Sequence, residues 1–150
     1  MSTFTTIELQ TSPGESLTNI TAQVQEAVKH SGVKDGACVV FVPHTTAGLT
    51  LNSGIDPKTA ADLILELHRL VPTRVDFQHT YDTPADAAGH IKATLVGHSA
   101  TLIVSGGQLA LGSSQSVLFF EFDGPRERKV LVQVMGAAGP FRSRRAAIKT

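Results

Sequence analysis

Six histidines carry most of the chemistry this chain can offer: His30, His44, His68, His79, His90 and His98. An imidazole titrates near neutral pH and is a common ligand of divalent metals, so histidines that meet in a fold make either a proton-transfer site or a metal site. His30 and His68 fall near the ends of helical patterns, where a cation meets the negative pole of the helix dipole, and His98 precedes a strand in a turn. These three read as structural or surface residues. His44, His79 and His90 differ, because each sits at an element edge or in a polar loop beside small residues (Thr45 to Gly48, Thr80, and Ala88 with Gly89) that leave room for a ligand. Brought together, they would supply neutral nitrogen donors to zinc or a similar divalent ion and leave a fourth position for water or substrate. Asp86 lies four residues before His90. On a helix the two share a face, and the carboxylate can orient the imidazole or act with it as a general-base pair. No His-Glu-x-x-His or similar close pair is present, so any such site depends on the fold.

Other chemistry-bearing residues gather at Phe119-Phe120-Glu121-Phe122-Asp123-Gly124-Pro125-Arg126, where acids and a base surround a predicted strand end. Asp123-Gly124-Pro125 reads as a turn, and Gly106-Gly107 and Gly112-Ser113-Ser114 as hairpin turns, since their glycine spacing fits no phosphate loop. The single cysteine, Cys38, lies in Ala-Cys-Val-Val-Phe-Val and reads as a buried core thiol.

The elements that must position these groups follow from periodicity. Thr3 to Leu9 alternates as a half-buried strand ended by Ser12-Pro13-Gly14. A helix capped by Thr18 or Asn19 carries Ile20, Val24, Ala27 and Val28 inward and closes at Gly32. Ala37 to Val42 reads as a central strand buried on both faces, and Leu49-Thr50-Leu51 as another strand. Asp56-Pro57 starts a second helix with Leu63, Ile64, Leu67 and Leu70 on its buried face. Thr83-Pro84-Ala85-Asp86 leads into a short third helix with Ile91, Leu95 and Val96, ending at Gly97. Val75 to Tyr81 is ambiguous. From residue 99 the texture turns to strands, Ala100 to Val104, Gln108 to Leu111, Gln115 to Phe122 and Arg128 to Met135, with hairpins implied. Helices early and consecutive strands late describe one α+β domain with a largely antiparallel sheet and two to three helices.

Composition bounds the partners. The chain has 150 residues, 41% hydrophobic and 17% charged, which suits a single globular domain. Its zero formal charge conceals an asymmetry: residues 1–123 carry six Lys and Arg against twelve Asp and Glu, residues 124–150 seven against one. An acidic body argues against a nucleic-acid surface, and Phe141-Arg142-Ser143-Arg144-Arg145 reads as a solvated or subunit-contacting extension. The longest apolar runs are too short to span a bilayer, so no membrane partner is expected. The lone cysteine and the lack of a signal-peptide pattern at the start point to the cytoplasm.

Five separated blocks, in order, resemble the YjbQ-like proteins, the UPF0047 family, often labelled secondary thiamine-phosphate synthases. Phe41-Val42-Pro43-His44-Thr45-Thr46-Ala47-Gly48-Leu49-Thr50-Leu51-Asn52 looks like the family's histidine-threonine block, with Asp56-Pro57 following. His79-Thr80-Tyr81-Asp82 and Asp86-Ala87-Ala88-Gly89-His90-Ile91-Lys92-Ala93-Thr94-Leu95-Val96-Gly97 match its central block. Gly107 to Gly112, Gln115, and Glu121 to Arg126 match its closing block. Three positions depart from the pattern: Ser53 stands for an acid after the asparagine, Asp82 for a glutamate, and Ser113-Ser114 for threonine-tryptophan. The lost ring reshapes a pocket wall.

The resemblance implies a homotrimer with a site near a subunit boundary. It also implies thiamine-phosphate synthesis, in which a pyrimidine methyl diphosphate joins a thiazole phosphate and releases pyrophosphate. In that reading His44, His90 and Asp86 are catalytic and His44, His79 and His90 hold a divalent metal. Asn52 and Gln115 position the substrate, and Lys92, Arg126 or Mg²⁺ neutralise the departing pyrophosphate. A rival reading is a non-catalytic trimer that binds a metal or small anion, with Glu121 and Arg126 as an intersubunit ion pair.

Overall fold

A computed structural model of the chain describes residues 4–137. The element order is β1 (Thr5–Gln10), β2 (Gly14–Asn19), α1 (Thr21–Ser31), β3 (Gly36–Phe41), β4 (Ala47–Ser53), α2 (Pro57–Leu70), α3 (Pro84–Val96), β5 (Ser99–Ser105), β6 (Gln108–Leu109), β7 (Gln115–Gly124) and β8 (Glu127–Gly136). The strands form a five-stranded sheet, β1-β8-β3-β5-β6, and a three-stranded sheet, β2-β7-β4, with every pairing antiparallel. The fold is α+β, as the periodicity predicts. The basic run at residues 141–145 and the first residue of the predicted opening strand lie outside the described residues.

Period-two alternation builds the core. Ile7, Cys38, Val40, Leu102, Val104, Val130 and Val132 turn from the five-stranded sheet toward Leu49, Val117 and Phe119 of the other sheet, and Ile20, Val24, Ala27 and Val28 close the cluster from α1. Burial pushes the Cys38 thiol up to about 11, so it is a packed, protonated side chain. The opposite face of β7 presents Leu118, Phe120 and Phe122 to α3, whose buried residues there are small: Ala87, Ala88 and Gly89. No helix among the described residues is long and apolar enough to cross a membrane.

Several expectations need correction. β2 has no counterpart in the sequence reading, because Gly14-Glu15-Ser16-Leu17-Thr18-Asn19 offers one apolar residue; pairing with β7 across a bulge holds it in place. The helix cap assigned to Thr18 or Asn19 falls instead at Ile20, with no side-chain cap, and Asn19 Oδ1 accepts from the Thr21 N–H at 3.1 Å. β3 is central but not buried on both faces: Ala37 and Val39 are half-buried and Phe41 is exposed. Only β5 and β6 form one of the implied hairpins. β6 pairs with β5 and not β7, and β7 and β8 belong to different sheets, so the turn at 125–126 is a crossing between layers.

Both later helices start where expected, capped by Asp56 and Thr83 before a proline. Their apolar faces do not go where expected. On α2 Leu63, Ile64 and Leu67 are half-buried rather than buried and Leu70 is exposed, while α3 buries Asp86 and Lys92 and leaves Ile91 and Leu95 open.

Candidate functional site

Thr83 accepts the Asp86 N–H at 3.1 Å and Pro84 pre-sets the first turn, which brings Asp86 into the first turn of α3 on its inward side. Gly89 and Gly48 let this helix lie close on the sheet. A Cβ at Gly89 would come 3.3 Å from Thr46, and one at Gly48 would come 2.8 Å from the Gly97 carbonyl. The buried Asp86 carboxylate is thereby fixed beside two imidazoles. His79 Nε2 lies 3.1 Å and His90 Nε2 3.2 Å from the same oxygen, Oδ2, and the two rings meet edge to face with centroids 5.0 Å apart.

That arrangement has two chemical uses. Protonated on Nε2, both rings donate to Asp86 and form a carboxylate-held imidazole pair. With the protons on Nδ1, two nitrogen lone pairs and a carboxylate oxygen surround a common point; the ligand atoms of His79, Asp86 and His90 all lie within 4.8 Å of one another. Donors on tetrahedral zinc, at bond lengths near 2.0–2.1 Å, stand about 3.3 Å apart, and each imidazole nitrogen lies close to that spacing from the carboxylate oxygen, at 3.1 and 3.2 Å.

His44 reaches the same place from the other sheet. It follows β3, and its Nε2 accepts the Lys129 backbone N–H of β8 at 2.9 Å. This fixes the proton of the neutral ring on Nδ1 and turns His44 into a hydrogen-bond donor. Burial, and then the charge of Arg128, hold its pKa below the ordinary imidazole value, so the ring is neutral at neutral pH. Of the three histidines expected to bind metal, the structure gathers the donor atoms of His79 and His90 with Asp86; His44 is not in that group.

His44, Thr46, His79, Tyr81, Asp82, Asp86, His90, Arg126 and Arg128 line one hollow of about 440 Å³, with Pro43 and Thr45 at its edge. Arg126 is held by carboxylates: Nη2 is 2.6 Å from Asp123, 3.4 Å from Asp82 and 3.9 Å from Asp86, and Nε donates to the Asp123 carbonyl at 3.1 Å. The Asp123 hydrogen bond raises its pKa further. Arg128 and Glu121 form a buried two-point pair, with Nε to Oε1 at 2.9 Å and Nη2 to Oε2 at 2.6 Å. Arg128 also donates to Thr46 Oγ1 at 2.8 Å, and the Thr11 hydroxyl donates to Glu121 at 2.6 Å. Burial alone would raise the Glu121 pKa, but these hydrogen bonds outweigh it and hold the carboxyl below the usual range. Glu121 therefore pairs within its own chain with Arg128, which overturns the expected intersubunit pair with Arg126.

The remaining expected site residues stand elsewhere. Lys92 is buried against Glu15 on β2. Asn52 accepts from the Ser53 N–H at 2.7 Å near the far end of β4, about 20 Å along the strand from the hollow. Gln115 sits opposite Ser53 and accepts the Gly112 N–H at 2.9 Å. Sequence reasoning missed Arg128, Thr46 and the Lys129 backbone. A signal for Arg128 was present, since it shares strand parity with the apolar Val130 and Val132 and so faces inward.

The family model described as "UPF0047 protein YjbQ-like" matches residues 5–137. A UPF0047 protein of Methanocaldococcus jannaschii is 41% identical over 129 residues, covering 86% of this chain and 91% of that protein. The UPF0047 protein YugU of Bacillus subtilis is 34% identical over 133 residues, 87% of this chain and 98% of that one. Among solved structures, an uncharacterized conserved protein of the yjbq/upf0047 family from Clostridium acetobutylicum is similar at TM-score 0.83 and 42% identity, covering 87% of this chain and 99% of its own. A hypothetical protein from Aeropyrum pernix K1 is similar at TM-score 0.84 and 32% identity, covering 89% and 98%.

Proposed function

The chain belongs to the UPF0047 family of YjbQ-like proteins, and we propose that its hollow is a divalent-metal site that takes a small phosphorylated substrate. The observation that carries this reading is the convergence of His79 Nε2, His90 Nε2 and Asp86 Oδ2 beside His44 and Arg126. Two imidazole nitrogens and one carboxylate suit zinc better than magnesium, which prefers oxygen donors. The ion, when bound, supplies positive charge against phosphate oxygens. His44 offers its Nδ1–H to the substrate, and Arg126 adds a guanidinium at the rim.

The reaction to test there is thiamine-phosphate synthesis. A pyrimidine methyl diphosphate gives up pyrophosphate as its methylene C–O bond breaks, and a C–N bond forms to the ring nitrogen of a thiazole phosphate. We also propose a homotrimer in the cytoplasm. Its support is the separation of Asn52 and Gln115 from the hollow of their own subunit, together with the exposed Leu70 and Leu95 beside the apolar cleft under α2. In a trimer, a neighbouring subunit would bring the far end of β4 toward the hollow.

One observation favours a second reading, metal or anion binding without turnover. Arg126 is committed to Asp123, Asp82 and Asp86, and Lys92 to Glu15, so both cations expected to meet pyrophosphate are already paired.

Elemental analysis of protein purified without a histidine tag tests the metal. Near-stoichiometric zinc is expected, and its loss in His79→Ala; a parent that takes up no divalent ion when incubated with one overturns the metal reading. Turnover of the two thiamine precursors with added Mg²⁺, comparing the parent with His44→Ala and His90→Ala, tests the reaction. No product from the parent discards the synthase and leaves the binding protein.

A further inference from the structure

The inner wall of the hollow holds hydrogen-bond donors that no described residue uses. Arg128, 5% exposed, spends Nε and Nη2 on Glu121, and Nη2 again on the Thr46 hydroxyl and carbonyl at 2.8 and 3.3 Å. Its Nη1 meets no acceptor among the described residues. No buried side-chain nitrogen or oxygen among those residues lacks a partner, so Nη1 keeps an opening, and the hollow that Arg128 lines is where it opens.

Two neighbours add to it. Thr46 Oγ1 accepts from Arg128, which has no acceptor to take a bond in return, and the Thr46 methyl lies toward Gly89, so the hydroxyl proton is unspent. His44, held through Nε2 by the Lys129 N–H, keeps its Nδ1–H for the hollow it also lines. The acceptor behind them is fully used. Glu121 Oε1 takes the Thr11 hydroxyl and Arg128 Nε, and Oε2 takes Arg128 Nη2 and the N–H groups of Phe122 and Asp123 at 3.1 and 3.3 Å. The rim is the reverse. Arg126 is 39% exposed and surrounded by Asp82, Asp86 and Asp123, so an anion that meets it meets three carboxylates as well. Donors fixed in a buried wall hold an oxyanion more strongly than exposed ones, because water competes less there.

We propose that Arg128, and not Arg126, is the guanidinium that holds the anionic group of the substrate. Its Nη1, the Thr46 hydroxyl and the His44 Nδ1–H receive the anion's oxygens, and they do so without a metal. This role presupposes the anionic substrate proposed above. It goes beyond that reading by seating the anion away from the His79, Asp86 and His90 donors and by giving Arg128 direct contact with it.

Glu121 cancels the Arg128 charge from behind. Glu121→Gln keeps the size of the side chain and uncovers that charge, so an anion on Nη1 is held more tightly in the variant; a purely structural role for the pair predicts the opposite. The probe is inorganic phosphate, titrated calorimetrically into the full chain after metal is stripped with a chelator and the chelator dialysed away. The stripped parent should bind it. Thr46→Val, which keeps a methyl and removes the hydroxyl, should weaken binding about tenfold, and Glu121→Gln should tighten it by a similar factor. Thr46→Val decides the matter if Glu121→Gln does not fold. Binding only after zinc is restored overturns the metal-free seat and leaves the metal reading standing. Binding under neither condition overturns both. Binding to the stripped chain that Thr46→Val leaves unchanged, or that a folded Glu121→Gln weakens, overturns the assignment to Arg128.

Discussion

Glu121 and Arg128 are hidden charges in direct contact with the site. Breaking such a pair from one side leaves the other charge buried and alone, so Arg128→Met should cost about 3 kcal/mol in a urea unfolding titration. The acid limb of stability should carry the signature of Glu121. Its carboxyl is held below the usual range, so its contribution is fully present above the ordinary glutamate value of about 4.3 and is lost as pH falls through the lower folded value. Glu121→Gln should start less stable at neutral pH and lose less on acidification than the parent; parallel curves would show that this carboxylate is not the acid-sensitive group. Both residues were open to the sequence in part. An acid inside Phe119-Phe120-Glu121-Phe122 and an arginine in phase with Val130 and Val132 each announce a buried charge in need of a partner. Which partner each takes depends on two sheets meeting, and spacing along the chain contains no trace of that.

Helix starts were legible because capping is local. Asp56-Pro57 and Thr83-Pro84 satisfy the first turns with their own side chains and a fixed φ. Helix faces were not: on α2, Leu63, Ile64 and Leu67 are only half-buried and Leu70 is exposed, on α3 Ile91 and Leu95 are exposed, and α3 meets the sheet through alanine and glycine instead. Close approach, rather than bulk, seats this element. A methyl group at Gly48 would press on the Gly97 carbonyl and on Val96 Cγ1 at 3.1 Å. Gly48→Ala should therefore lower stability by about 1–3 kcal/mol in thermal or urea melts. Because α3 carries Asp86 and His90, the same substitution should weaken zinc uptake although it touches no ligand. Unchanged uptake in a destabilised variant would show that the helix tolerates the shift.

For the molecule as a whole, the proposed trimer predicts a sedimentation coefficient for three copies, and Leu70→Asp together with Leu95→Asp should reduce it to that of one. A parent that sediments as a monomer removes the neighbour that was to bring Asn52 and Gln115 toward the hollow. Three of the crossings between the layers occur at Thr11, at Thr46 and at the turn before Arg128, and the buried Glu121–Arg128 pair touches both threonines there. His44 is tethered to the backbone of one layer and the α3 imidazole to the other. The angle between the two layers therefore helps set how wide the hollow opens to a guest, alongside the stretch between α2 and α3 that carries His79, Tyr81 and Asp82 to its wall.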